Sequence, residues 1–277
     1  DEAGLDDWPR GAEVSVLTFT DGVHHEVFPA AVQDHKRTQH QDRGSITDGM
    51  GAFAPSLLVD AEMLARIERE IIRPVLDGLR EDDRAFSGCL HTELVIMPSG
   101  PKVIGFRCCL GDPAAQAALP LLDLELFKVL SACACRRLQG NPLRVLPETS
   151  VVAVVMASGG YPGSFKRGFA VTGLQRALCV PGAHIFHCGT ALEDECSTTN
   201  GASPKAASDV RRMSNLSTIA PPPISHHLQT CGGRVLTVAA VGRGLNEARE
   251  RAYVGVRAIN FTDAWYRHDI AAFATHR

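Results

Sequence analysis

GCLHTELVIMPSGPKVIGFRC, residues 88–108, sets two apolar, β-prone runs on either side of a Pro-Ser-Gly turn. GCLHTELVIM and KVIGFRC therefore predict two strands folded back on each other through Pro98, Ser99 and Gly100. On the N-terminal side, Asp60 is a candidate N-cap. Leu64, Ile67, Ile71, Val75 and Leu79 then recur at three- and four-residue spacing, which predicts an amphipathic helix that Pro74 should kink. Further upstream, VSVLTF (14–19) and VHHEVFP (23–29) flank a turn at Asp21-Gly22 and predict a hairpin. Residues 33–55 are polar, bear several glycines and show no periodicity, so they are expected to form a long loop.

Downstream, a second helix is expected over Leu121 to Leu138. NPLRVLPETS carries two prolines and is followed by the run VVAVVMAS, which places a domain boundary near residue 148. The second unit, 148–277, should be β-rich and end in a helix with Leu245, Ala248, Ala252, Val256 and Ile259 on one face. Glu247 and Arg251 lie one turn apart on its outer side. Residues 193–230 are rich in Ser, Thr, Asn and Pro and read as a flexible surface insertion. The fold class is α+β.

At 277 residues the chain is long enough for two modest domains, each with its own core. Hydrophobic residues make up 45% and charged residues 21%, with no apolar run of membrane-spanning length, so no membrane role is expected. A net charge of −3 with scattered basic residues argues against a nucleic-acid partner. Nine cysteines without regular spacing suit free thiols in the reducing cytoplasm. The groupings Cys133/Cys135 and His184/His187/Cys188 lack the second pair that a zinc site needs, so buried free thiols are expected instead. The sequence starts without Met and runs almost at once into a strand, as though entered partway through a domain.

Several phrases occur in one order along the chain: GAEVSVLTFTDG, QDHKR, GMGAF, GPKVIGF, GDP, ASGGYPGSFKRG, FHCGTAL, GGRVLTVAAVG and YRHDI. In this order and register the chain resembles glycinamide ribonucleotide synthetase, or phosphoribosylamine–glycine ligase, of the ATP-grasp superfamily. The resemblance implies the second part of an ATP-grasp domain over 1–147, followed by a C-terminal domain of this family over 148–277. It also implies that the family's first half would precede residue 1. The implied reaction joins glycine to phosphoribosylamine in purine synthesis, with ATP as nucleotide, magnesium as cofactor and an acyl phosphate as intermediate.

The resemblance carries particular residues with it. Asp6, Asp7 and Glu13 align with acidic residues beside the nucleotide, where a carboxylate can hold a ribose hydroxyl. Asp34, Lys36 and Arg37 of QDHKR would line the substrate side, where Lys and Arg suit a phosphate or carboxylate. Gly49 and Gly51 would let backbone approach a ligand closely, and Asp112 of GDP completes the implied substrate set. ASGGYPGSFKRG reads equally as a structural turn or as a ligand-touching wall, and it lacks the ending of a phosphate-binding P-loop.

Other positions depart from the family. The family's two magnesium ligands, a Glu and an Asn, fall at Gly105 and Arg107, neither of which offers an oxygen to a hard cation. Ile46, Asp48, Cys109 and Ala114 depart as well. These departures leave two readings: an ATP-dependent ligase, or a diverged non-catalytic relative that binds a nucleotide or another protein.

Overall fold

The computed structural model describes residues 12–140, 142–192 and 228–272. One antiparallel sheet organises them. Its strands are β1 (Ala12–Thr20), β3 (Val32–Gln39), β4 (Arg43–Ala54), β5 (Gly88–Met97), β6 (Gly100–Arg107), β7 (Thr149–Ala157), β8 (Ala183–His187) and β11 (Arg234–Arg243), in the order β6-β5-β1-β3-β4-β7-β11-β8. The short β2 (His25–Val27) pairs with β1. A separate two-stranded ribbon joins β9 (Thr190–Leu192) to β10 (Leu228–Thr230). The sheet runs unbroken past residue 148, because β4 pairs with β7 from Gly51↔Val154 to Ala54↔Val151.

The hairpin of β5 and β6 forms as the sequence predicts, with Met97 paired to Gly100. The Asp21 turn also forms: its carboxylate accepts the amides of Val23 and His24 at 2.9 and 2.7 Å. Burial would push this carboxyl up, but the amides of His24, Val23 and Leu138 outweigh that and bring it to about 2.

Residues 33–55 are not a loop. They form β3 and β4, an antiparallel pair with register shifts near His35 and Arg37. The polar spelling of β3 hid it: its residues need not be apolar when one face lines a cavity and the backbone is paired on both sides. The ends of the pair meet at His40–Asp42, where Gln41 and Asp42 take left-handed backbone angles.

Asp60 caps its helix through the Met63 amide at 2.8 Å. The helix runs as α1 (Ala61–Ile67), a wide π turn (Glu68–Ile72) and α2 (Arg73–Glu81). Pro74 lacks an amide proton and its ring crowds the preceding turn, so the ladder widens there and the Arg73 amide bonds back to Glu68. Ile67 and Ile72 are buried against Val14, Val16 and Leu94.

The second helix is shorter than expected. After α3 (Ala114–Ala118) and one 3-10 turn at Leu119–Leu121, the chain extends so that Leu122 bridges Val145, and only Leu126–Ala134 forms α4. α5 covers Leu174–Leu178 and α6 covers Gly244–Ala258. Ala248, Ala252 and Val256 of α6 pack on Val152, Val154 and Val238, and Ile259 just beyond its end joins the same core. Arg251 meets Glu247 on the other side.

The expected insertion is partly corrected. Residues 228–230 are strand, while 193–227, including His226 and His227, lie outside the described residues. The thiols also differ from expectation: Cys89 and Cys133 are buried, but Cys108, Cys109, Cys135, Cys179 and Cys188 are exposed. Cys135 and Cys188 escape burial because the first follows the end of α4 and the second the end of β8.

Candidate functional site

Strand alternation sends every second residue to one face. On one face of the sheet this gathers Glu13 and Ser15 of β1, Asp34 and Lys36 of β3, His91 and Glu93 of β5, and Arg107 of β6. With Ile46–Gly49, the Gly111–Ala114 loop, Tyr161 and Pro162, most of these residues line a cavity of about 460 Å³.

Lys36 is the hub of the charge pattern. Its Nζ lies 2.6 Å from Glu93 Oε1 and 3.1 Å from Glu13 Oε2. Burial pulls the ammonium down, but Glu93 and Glu13 more than reverse this and hold it above its ordinary value. The other oxygen of Glu93 accepts from Arg107 Nε at 3.0 Å. For Glu93, too, burial is outweighed by its cations, chiefly Lys36, and its carboxyl is held low.

Beside this pair runs a hydrogen-bonded relay. The Ser15 hydroxyl donates to Asp34. His91 Nε2 is 2.6 Å from the same hydroxyl oxygen, so the imidazole donates from Nε2. Its Nδ1 has no hydrogen-bond partner among the described residues, nor has Asp34 Oδ1. Burial lowers His91 to about 4 and raises Asp34 to about 6, against the opposing pull of Ser15 and Lys36 on the aspartate.

Of the residues expected from the sequence, Glu13, Asp34, Lys36, Gly49 and Asp112 come together here. Gly49 has a φ of +129°, and a Cβ there would meet Pro113 Cδ at 2.5 Å, so glycine is required for β4 and the Gly111–Ala114 loop to touch. Asp112 is tied to β11 through Arg234 Nη1, 3.1 Å from its carboxylate and 3.0 Å from its carbonyl. ASGGYPGSFKRG supplies Tyr161 and Pro162 to the cavity wall.

Two expected residues lie elsewhere. Arg37 donates to the Gly44 carbonyl at 2.8 Å within its own hairpin. Gly51 packs under the C-terminal segment, where a Cβ would stand 2.7 Å from Ile270 Cδ1. Arg37 is one residue out of step with Asp34 and Lys36, and Gly51 pairs with His35, which stands on the face opposite Asp34. Asp6 and Asp7 lie outside the described residues. Ser15, His91 and Glu93 were not anticipated, although the two ionisable residues spaced by two in GCLHTELVIM, His91 and Glu93, already mark one face of that strand.

Comparison with known proteins identifies this architecture. The family models described as phosphoribosylglycinamide synthetase, ATP-grasp (A) domain and C domain match residues 5–115 and 151–273. Phosphoribosylamine–glycine ligase of Chlorobaculum tepidum is 36% identical over 99% of this chain and 57% of its own length. The trifunctional purine biosynthetic protein adenosine-3 of Gallus gallus is 38% identical over 94% of this chain and 23% of its own length. The crystal structure of phosphoribosylamine–glycine ligase from Thermotoga maritima superposes with a TM-score of 0.70 at 26% identity, covering 95% of this chain and 56% of that one.

The sheet is that of an ATP-grasp protein. Within that class the chain belongs to the phosphoribosylglycinamide synthetase family. It spans little more than half of the Chlorobaculum ligase, and less of the multifunctional relative. No helix among the described residues is long and apolar enough to cross a membrane.

Gly105 and Arg107, where the resemblance would place magnesium, offer it no side-chain oxygen. Gly105 has no side chain, and Arg107 spends its Nε on Glu93. Both oxygens of Glu93 are already held by fixed cations, Lys36 and Arg107. Among the described residues, no group of three His, Cys, Asp or Glu side chains is placed to hold a metal ion.

Proposed function

We propose that this chain forms the substrate cavity of an ATP-dependent ligase that joins glycine to phosphoribosylamine, acting in the cytoplasm. The carrying observation is that Glu13, Asp34, Lys36, Gly49 and Asp112, drawn from four separate segments, converge on one cavity. Residues 1–147 would supply its floor, and 148–277 would close one side through Tyr161 and Arg234.

In this reading Glu13 accepts from a ribose hydroxyl of the nucleotide. Lys36 is the point charge for a substrate carboxylate or phosphate, and its pairing with two carboxylates keeps it protonated and in place. β4 at Gly49 and the Asp112 loop it touches fix the cavity's width, so two substrates meet at a set distance.

Calorimetric titration of the folded chain with ATP, and then with glycine, tests the assignment. Saturable ATP binding is expected, weakened about tenfold in Glu13→Gln, the scale of one lost charge-assisted hydrogen bond. A folded chain that binds no ATP would overturn the reading.

A further inference from the structure

Gly105 and Glu93 are cross-strand partners in the β5–β6 pair. A Cβ on residue 105 would stand 3.9 Å from Glu93 Oε2. The carboxylate that the family resemblance implies at 105 thus has a counterpart directly opposite, carried by the neighbouring strand. Its two oxygens hold Lys36 at 2.6 Å and Arg107 at 3.0 Å. Where the family pattern sets oxygens around a dication, this chain sets a buried carboxylate under two fixed cations.

Arg107 is only half used by this contact. Nε donates to Glu93, while Nη1 and Nη2 have no partner among the described residues. The side chain is 59% exposed and lines the cavity. A guanidinium anchored at one edge by a carboxylate presents its other donors in a fixed plane, a geometry suited to two oxygens of one phosphate. The same fixed charge repels a divalent cation from the place.

We infer that Arg107, positioned by Glu93, is an anion-binding residue that engages the phosphates of the ligand without a divalent cation at this end of the cavity. The identity of that ligand as a nucleotide rests on the proposed function. Inorganic tripolyphosphate probes the anion site alone, so the two readings can fail separately.

The experiment is a calorimetric titration of the full chain with tripolyphosphate, in EDTA and again in magnesium, for wild type, Arg107→Ala, Arg107→Lys and Glu93→Gln. Thermal unfolding establishes that each variant is folded, and the exposure of Arg107 makes its variants the safer pair. Binding in EDTA is expected, reduced about tenfold in Arg107→Ala, partly retained in Arg107→Lys, and reduced several-fold in Glu93→Gln, where the anchor is weaker. Binding that appears only with magnesium, or equal affinity for wild type and Arg107→Ala in EDTA, overturns the inference. Tripolyphosphate binding that depends on Arg107, with ATP bound no more tightly than tripolyphosphate, would sustain the anion site while counting against the nucleotide reading.

Discussion

Arg267 Nη1 lies 2.6 Å from Asp42 Oδ1, joining the C-terminal segment to the turn between β3 and β4 across 225 positions of sequence. The guanidinium is 1% exposed and also meets Asp269 at 2.7 Å and the Arg37 carbonyl at 3.0 Å. Burial would pull Arg267 down, but Asp269 and Asp42 hold it up. Arg267→Met should cost about 3 kcal/mol, because it leaves two carboxylates facing a site built for a cation. That corresponds to a fall in Tm of about 8 °C for a chain of this size. An unchanged melting curve would show that the segment is held by its apolar contacts alone.

Asp34 and His91 predict opposite responses to acid. Asp34 titrates near 6 in the folded chain against an ordinary 3.8, so the folded state binds more protons between those values and gains stability as pH falls through 6. His91 titrates near 4 against an ordinary 6.5, so the unfolded state binds more protons there and stability falls as pH drops from 6.5 to 4. Asp34→Asn should therefore steepen the acid loss and His91→Gln should flatten it, each by no more than about 1.4 kcal/mol per pH unit. Urea unfolding at pH 4.5, 5.5 and 6.5 measures both slopes, and a change of slope from wild type in the same direction for the two variants would refute the relay.

Lys36→Met should raise Asp34 further, because the Lys36 charge helps hold that carboxyl down. Carboxyl carbon NMR across pH 4 to 8 would follow it. A downward or absent movement would mean that Ser15 and burial alone set the titration.

Gly51→Ala separates packing from binding. Its Cβ would meet Ile270 Cδ1 at 2.7 Å and the Ala153 carbonyl at 2.8 Å, and the latter belongs to rigid backbone. A loss of about 2 kcal/mol in stability is expected, on the scale of overpacked cores. Ligand affinity of the folded fraction should be unchanged, and a selective loss of affinity would return Gly51 to the site.

Alkylation at pH 8 should sort the thiols by environment. Cys89 is buried, and burial pushes it up to about 12, so almost no thiolate forms. Cys108 and Cys109, exposed at the end of β6, should react first. Mass spectrometry of the native chain would reveal the order, with early labelling of Cys89 pointing to local opening of β5.

The local devices were legible in the sequence because each is written within a few residues. The Asp21 turn, the Asp60 cap, the β5–β6 hairpin and the apolar face of α6 all depend on short-range spacing and all appear in the structure. Glu13, Asp34 and Lys36 were likewise visible through the family motifs that contain them. β3 and β4 were not, because a strand that lines a polar cavity loses the apolar alternation by which strands are recognised. Nor could spacing show that Gly51 turns away from Gly49, since that depends on register shifts within the hairpin.

By itself the sequence determined the β5–β6 hairpin, the Asp21 turn, the Asp60 cap, the apolar face of α6 and the family to which the chain belongs, because those follow from local periodicity and collinear motifs. Only the tertiary structure decided that Glu93 stands opposite Gly105 and grips Arg107, that His91 meets Ser15, and that Arg267 closes on Asp42. Apart from the contacts of Glu93 within its own hairpin, these join residues far apart in sequence, and their energies arise from burial and from pairing between strands, which exist only once the sheet has formed.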